Sequence, residues 1–294
     1  MQQGLSSSRA GALSAFSVMC ALAAQNVGAA FAKQIFPLVG AEGIAALRVG
    51  ISACLLLAWF RPWRISLERH DALNLLIYGL GMGCMNLFIY HAFARIPIGI
   101  AVAIEVTGPL AVVLFSSRRP RDFLWLGCVS AGLYLLLPIH AQGAGLDPVG
   151  VGWALAAAIC WAMYIVFGKR VSHLEGGQAV AWGMFAAAAF TAPVGAAHSG
   201  VTLLMPSILL IGTAVAVLSS AIPYFVEMQV MRRLPRRVFG ILVSTAPAIA
   251  ALAGWVILGE RLSAVQWLAI GLIILASVGA AATAGKRQAA VIEP

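Results

Sequence analysis

The chain has 294 residues, of which 62% are hydrophobic and only 10% are charged, and its formal net charge is +9. Soluble domains carry about 25% charged residues, so this composition excludes an ordinary soluble protein and indicates a membrane protein. The positive charge does not indicate nucleic-acid binding, because the basic residues lie in short loops between apolar segments, where they orient a membrane protein.

Apolar segments bounded by charged or turn residues predict ten membrane-spanning helices, since about 20 residues cross a bilayer. The predicted spans, in chain order, are 12–32, 41–60, 72–93, 98–116, 123–139, 150–168, 178–197, 206–228, 238–257 and 264–284. The first span resembles a signal peptide but is long enough to cross the membrane, so we expect it to be retained. Lysine and arginine are concentrated in alternate loops, which predicts that both termini are cytoplasmic.

The two halves of the chain share an ordered set of matches. Thr107 and Pro109 recur as Thr245 and Pro247, and each of these prolines follows an earlier proline by twelve residues. An odd number of spans per unit reverses the orientation of the second unit. The sequence therefore predicts an all-α membrane protein with two inverted five-helix repeats, an arrangement typical of secondary transporters. The expected units are residues 1–140 and 141–294.

Two charged residues lie inside predicted spans, Arg48 in the second and Glu105 in the fourth. An isolated charge at the centre of a spanning helix costs about 2.5–3.5 kcal/mol on insertion scales. Both residues are expected at a similar depth, roughly 10 Å from one boundary at about 1.5 Å per residue. One interpretation is a structural ion pair, and the other is a substrate or proton site inside the bundle.

Pro109 adds a second polar feature to the fourth span. It has no N–H to donate to the carbonyl of Glu105, four residues earlier. A released carbonyl is tolerated at membrane depth where it is buried in protein or lines water. Glu105, Thr107 and Pro109 together therefore predict a hydrated cavity.

Further polar side chains lie at mid-depth in the predicted spans and are expected to form walls of this site. With Arg48 and Glu105, the predicted substrate-binding residues are Asn26, Asn86, Tyr90, Thr107, Ser220 and Tyr224. Glu105 is also the predicted proton-coupling residue. Burial disfavours an ionised carboxylate and a nearby arginine favours it, so the sequence leaves proton coupling as a hypothesis.

Signatures of other protein classes are missing from the sequence. The spans contain no HExxH, no Ser/His/Asp set and no paired aspartates, so we expect no enzymatic activity. The five cysteines lie in separate apolar segments without metal-ligand spacing, so neither a metal site nor a cofactor is predicted. A passive channel remains an alternative to a carrier, and the sequence does not indicate an oligomeric state.

Several segments resemble one known family. FPLVGAEGIAALR, PIGIAVAIEVTGPLAVVLFSSRRPRDF and LSSAIPYFVEM resemble the threonine/homoserine exporter group of the EamA-type drug/metabolite transporter superfamily. The resemblance extends from about residue 21 to residue 280. It implies an inner-membrane exporter of small amino acids, working by alternating access and driven by the proton gradient. Export of other small metabolites or drugs is the main alternative.

The resemblance also applies to individual residues. Glu105, Thr107 and Pro109 match the group's E-x-T-G-P segment, and Arg48 matches its second-helix arginine. In the second predicted unit the counterpart of Glu105 is Val243, so a carboxylate function would be confined to one unit. The expected partners are an amino-acid substrate, a proton and the lipid bilayer.

Overall fold

The structure, a computed structural model, describes residues 2–64, 67–115, 120–136, 146–171, 173–174, 176–223, 226 and 241–289. Within these residues the regular structure is entirely helical. The α-helices are α1 Gln2–Gln34, α2 Phe36–Phe60, α3 Arg69–Phe93, α4 Ile98–Glu105, α5 Thr107–Phe115, α6 Pro120–Leu136, α7 Pro148–Arg170, α8 Gly176–Ser199, α9 Pro206–Ala216, α10 Ala246–Leu258 and α11 Ala264–Ala289. The all-α class predicted from the sequence is confirmed.

Six helical segments among the described residues are long and apolar enough to cross a membrane. They are Ala15–Gln34, Phe36–Phe60, Arg69–Phe93, Pro148–Arg170, Gly177–Leu204 and Ile241–Leu258. Shorter apolar helices lie at Ile98–Val112, Phe123–Leu136, Pro206–Ala221 and Ala264–Ala280. Each of these shorter helices lies inside a predicted span, while the full set of ten spans and their inverted repeat stay predictions.

The bundle is built from helix pairs that are distant in the sequence. α2 packs along α8, α3 packs against α7, and α6 packs against α11. α1 and α4 both contact α10. The main hydrophobic core lies among these helices and includes the fully buried side chains of Ile44, Tyr90 and Ile104. Helices from both halves of the chain therefore surround a common interior.

The start of α7 is fixed by Asp147, which precedes the helix. Its carboxylate accepts a hydrogen bond from the backbone N–H of Val149 at 2.9 Å and from the Arg95 guanidinium at 2.9 Å. An acidic residue at this position satisfies a free N–H group and complements the helix dipole. These two donors hold the pKa of Asp147 below its usual range.

The Thr-x-Pro motifs found in the sequence have the same local geometry at both positions. Thr107 donates from Oγ1 to the carbonyl of Ile104 at 2.6 Å, where α4 gives way to α5. Thr245 donates from Oγ1 to the carbonyl of Leu242 at 2.7 Å, just before α10. In each case the hydroxyl satisfies a carbonyl three residues earlier, next to a helix interruption.

Gly108 of the first motif lies against the backbone of α7. A β-carbon at this position would overlap the carbonyl group of Ala158. The glycine therefore allows α5 to approach α7 more closely than any other residue would. The corresponding residue of the second motif, Ala246, is buried and opens α10.

Glu260 connects three segments at one end of the bundle. Its Oε1 accepts a hydrogen bond from Lys33 Nζ on α1 at 2.7 Å, and its Oε2 accepts one from the backbone N–H of Ile98 at 2.9 Å. Lys33 Nζ also donates to the carbonyl of Ile96 at 3.1 Å. The carboxylate thus caps the start of α4 and holds it next to α1.

We expect Glu260→Ala to destabilise the protein by about 1–3 kcal/mol, because it leaves partly buried donors without an acceptor. The measurement is the thermal unfolding of the purified chain in detergent, where this loss lowers the melting temperature. The matched control is Glu68→Ala, which removes an exposed glutamate and should leave the melting temperature unchanged. Equal melting of Glu260→Ala and the unsubstituted protein would show that this contact stabilises nothing.

Candidate functional site

A cavity of about 390 Å³ lies inside the bundle. Its walls come from α1, α2, α3, α4, α5, α7, α11 and the segment that leads into α10. Most of the lining is apolar, with a few polar side chains. Ligand pockets of about 300–1,000 Å³ with a small number of placed polar groups are typical of small-molecule sites.

Arg48 enters the cavity from α2 and is 5% exposed. Its Nε donates to Ser220 Oγ at 2.7 Å, Nη2 donates to the carbonyl of Ser219 at 2.9 Å, and Nη1 lies 3.3 Å from the hydroxyl of Tyr90. The guanidinium carbon also lies 5.4 Å from the centre of the Tyr90 ring. These contacts hold the cation in one orientation inside an otherwise apolar environment.

The two serines that hold Arg48 belong to a π-helical turn, Val217–Ala221, which follows α9. Such turns interrupt the regular hydrogen bonding of a helix and are frequent at functional sites. Ser219 donates its own hydroxyl to the carbonyl of Val215 at 2.6 Å, and its carbonyl accepts from Arg48. Gly28 of α1 lies against this turn, where a β-carbon would come 2.9 Å from the β-carbon of Ser219.

Glu105, the last residue of α4, lines the same cavity and is 8% exposed. Its carboxylate forms no hydrogen bond and no ion pair with any residue that the structure describes. Arg48 and Glu105 therefore lie in one cavity, as predicted, but they do not form a direct ion pair there. The Arg48 charge acts on this carboxylate through space, but a buried carboxylate to which no described residue donates is costly, so its presence favours a role toward a ligand or a proton.

Two asparagines add acceptor groups to the cavity wall. Asn26 donates from Nδ2 to the carbonyl of Leu22 at 2.8 Å, and Asn86 donates from Nδ2 to the carbonyl of Met82 at 2.9 Å. Each amide nitrogen is thus bonded within its own helix, one turn back. The amide oxygens accept no hydrogen bond from the described residues, so they are available to a donor in the cavity.

The other predicted site residues lie next to the cavity or beyond the described chain. Tyr90 and Ser220 do not line the cavity; both contact Arg48 and fix its position. Thr107 does not line it either, because its hydroxyl is bonded to Ile104. Tyr224 lies outside the described residues.

Ser277 on α11 lines the cavity and was not among the predicted site residues. Its Oγ is buried and has no hydrogen-bond partner among the described residues. Gln25, Tyr164 and Ser244 also line the cavity. A lone serine in an apolar helix gives no sign in the sequence of which way it faces, so Ser277 could have been found only by including every polar residue within a span.

The cavity can accommodate a small molecule that carries both charges. The Arg48 guanidinium suits a carboxylate, while the Glu105 carboxylate and the amide oxygens of Asn26 and Asn86 suit an ammonium group. Apolar side chains, among them Phe93 and Trp161, form the rest of the wall. The arrangement is suited to binding, and it contains no nucleophile paired with a base among the lining residues.

Comparison with known proteins identifies relatives that cover most of the chain. The sequence profile of the EamA-like transporter family matches residues 148–281. The threonine/homoserine exporter RhtA of Escherichia coli (strain K12) is 45% identical over 271 residues, which are 92% of this chain and 92% of the relative. RhtA of Salmonella typhimurium (strain LT2) is 46% identical over 266 residues, 90% of each protein.

A more distant relative and a solved structure agree with this placement. The uncharacterized inner membrane transporter YedA of Escherichia coli (strain K12) is 28% identical over 213 residues, 70% of this chain and 68% of the relative. A crystal structure of a protein covers 97% of this chain and 98% of its own, with a TM-score of 0.61 and 22% sequence identity, and shows the same fold. The named relatives are transporters and not enzymes, in agreement with the sequence prediction.

Proposed function

The chain belongs to the EamA-like transporter family, and from this premise we propose that it exports small amino acids such as threonine and homoserine across the inner membrane. The RhtA relatives are threonine/homoserine exporters, which supports the substrate class and the direction of transport. Two observations support a location in the inner membrane: the relative YedA is an inner membrane transporter, and this chain has helices long and apolar enough to cross a membrane.

One observation carries this proposal: a guanidinium and a carboxylate line one cavity without forming a direct ion pair. An amino acid is a zwitterion, so its two charges need opposite partners at a fixed separation. Arg48 binds the substrate carboxylate and Glu105 accepts hydrogen bonds from the ammonium group. Ser220 and Tyr90 keep the guanidinium directed at the cavity, and Asn26 and Asn86 supply further acceptors.

Transport proceeds by alternating access between two five-helix units, residues 1–140 and 141–294, that are inserted in opposite orientations. The repeated Thr-x-Pro geometry at Thr107 and Thr245 supports this repeat. The packing of α2 against α8 and of α6 against α11 also supports the repeat, because these helices are the second and the fifth predicted spans of each unit. The cavity lies between these units, and rocking of one unit against the other opens it to each side in turn.

Export is driven by the proton gradient, with Glu105 as the group that takes up and releases the proton. Lysine and arginine in alternate loops support cytoplasmic positions for both termini. The carrier must bind its substrate with similar affinity in both orientations, since a strong preference for one would trap that state.

Counterflow in proteoliposomes tests the proposal. Vesicles loaded with unlabelled threonine should accumulate labelled threonine transiently, since a carrier exchanges the two and a channel does not. Unlabelled homoserine added outside should compete, while unrelated metabolites and drugs in the same assay should not. Failure of threonine and homoserine to exchange, with exchange of another compound, would assign the cavity to a different substrate.

A further inference from the structure

An apolar groove of about 510 Å³ runs along the outside of the bundle between α3 and α8. Both helices belong to segments long and apolar enough to cross a membrane. Leu76 of α3 and Phe185 of α8 line the groove, and each is 47% exposed. In a membrane the groove is therefore open to acyl chains.

Three arginines lie at the end of this groove where α3 begins. Arg61 and Arg64 follow α2, Arg69 opens α3, and all three are exposed. The indole nitrogen of Trp182, which lines the groove, donates to the carbonyl of Pro62 at 3.3 Å. This bond holds the Arg61–Arg64 segment against the groove.

The arginines are not neutralised by neighbouring carboxylates. None of the three forms an ion pair within the described part of the chain. Of the two carboxylates near the start of α3, Asp71 pairs with His173 at 3.2 Å, and Glu68 is exposed. The end of the groove therefore carries a net positive charge.

The backbone of Arg61 is a second, independent sign that its side chain is needed. It has φ 46 and ψ 55, the left-handed conformation that ends α2, and its N–H donates to the carbonyl of Leu57 at 3.0 Å. Glycine is the usual residue at such a helix end, because a β-carbon makes this conformation costly. A costly conformation that persists points to a function of the side chain.

We propose that the groove and these arginines bind one anionic phospholipid. An acyl chain lies in the groove between α3 and α8, and the headgroup phosphate contacts the guanidinium groups of Arg61, Arg64 and Arg69. Guanidinium groups bind phosphate oxygens in a bidentate manner, and basic residues next to a spanning helix attract anionic headgroups. The groove selects a lipid over a soluble phosphate, and the arginines select an anionic lipid over a zwitterionic one.

The test compares phosphatidylglycerol with phosphatidylcholine of identical acyl chains, added to the purified full-length chain in detergent. Native mass spectrometry counts bound lipids, and thermal unfolding reports their effect on stability. We expect phosphatidylglycerol to remain bound and to raise the melting temperature, whereas phosphatidylcholine does neither. Replacement of any one of the three arginines by glutamine should weaken phosphatidylglycerol binding about fivefold.

Two further variants separate the parts of the site. Arg261→Gln removes an exposed arginine at the opposite end of the bundle and should leave binding unchanged. Ala189→Phe places a ring in the groove at an exposed position and should weaken phosphatidylglycerol binding although all three arginines remain. Glycerol 3-phosphate, which has the phosphate without acyl chains, should not bind detectably.

Four results would overturn the proposal. They are equal affinity for the two lipids, unchanged phosphatidylglycerol binding after replacement of all three arginines, binding of glycerol 3-phosphate as tight as that of the lipid, and a lipid-free dimer that buries the groove. The Ala189→Phe result decides the question independently if an arginine variant fails to fold.

Discussion

Replacement of Arg48 by glutamine should lower the initial rate of threonine exchange at least about tenfold while leaving the protein inserted in the membrane. The substrate carboxylate loses its cation, and hydrogen bonds to a charged group contribute about 1.5–3 kcal/mol. Since about 1.4 kcal/mol corresponds to a factor of ten in affinity, the loss appears mainly as weaker substrate binding. Counterflow of labelled threonine in proteoliposomes, normalised to the amount of inserted protein, measures it.

The contacts of Arg48 predict that neither a neutral nor a flexible replacement restores full exchange. The guanidinium reaches Ser220, the Ser219 carbonyl and Tyr90 from three of its nitrogens. A lysine keeps the charge but presents a single nitrogen, so Arg48→Lys should retain only part of the exchange activity. Ser220→Ala removes one of the three contacts and should cause a smaller loss than Arg48→Gln.

Ser52→Ala is the matched control for this series. Ser52 lies one turn after Arg48 on α2, is fully buried, and donates to the carbonyl of Ala216 at 3.4 Å without lining the cavity. Its replacement should leave exchange unchanged, which separates loss of the cation from general damage to the contact between α2 and α9. Wild-type exchange by correctly inserted Arg48→Gln would reject the substrate-binding role of this arginine.

The class of the fold could be predicted from the sequence because it depends on composition and span length alone. Apolar segments of about 20 residues must form helices in lipid, where every backbone polar group needs an internal partner. The bounds of α7 differ from prediction by two residues at each end, since Pro148 starts this helix earlier than the hydrophobic pattern indicates. In α2 the turn that begins at Phe36 is separated from the rest by Gly40, with φ 69 and ψ 170, so the continuous helix begins at residue 41, as predicted.

The sequence was enough to place the charged residues of the candidate site but not its neutral polar residues. Charged residues inside a span must face the interior, so the sequence could place Arg48 and Glu105 in one cavity. Neutral polar residues can satisfy their hydrogen bonds within a helix or between helices. The sequence therefore could not distinguish Asn86, which lines the cavity, from Tyr90, which contacts Arg48, or from Thr107, which donates to the carbonyl of Ile104 at the end of α4.

The direct Arg48–Glu105 ion pair considered from the sequence is not formed; Arg48 donates instead to the turn that follows α9. In a regular helix the Ser219 carbonyl would be left free, because Pro223, four residues later, has no N–H to donate. The wider turn presents this carbonyl to Arg48 together with the Ser220 hydroxyl. The guanidinium thus donates to two neutral groups of this turn, and no described residue donates a hydrogen bond to the Glu105 carboxylate.

Replacement of Glu105 by glutamine should abolish the response of export to an imposed pH gradient. The two side chains have the same shape, but a carboxyl group takes up and releases a proton and an amide does not. Because the carboxylate lines the cavity proposed to bind substrate and accepts no hydrogen bond from the described residues, its protonation and substrate binding act on the same space. A proton taken up at Glu105 removes the negative charge that attracts the substrate ammonium and adds a competing O–H donor, which couples release of the amino acid to the gradient.

The decisive comparison uses exchange and gradient-driven transport in the same proteoliposomes. Glu105→Gln should retain measurable threonine counterflow, since exchange needs no net proton movement, while the gradient no longer accelerates export. Asp71→Asn is the matched control, because Asp71 is also a buried carboxylate but pairs with His173 away from the cavity. This variant should respond to the gradient as the unsubstituted protein does.

If Glu105→Gln keeps the full pH dependence, the proton is carried elsewhere and Glu105 contributes only to binding. If exchange is lost as well, the carboxylate is needed for substrate binding itself, and coupling must then be tested with Glu105→Asp, which keeps a titratable group in the cavity.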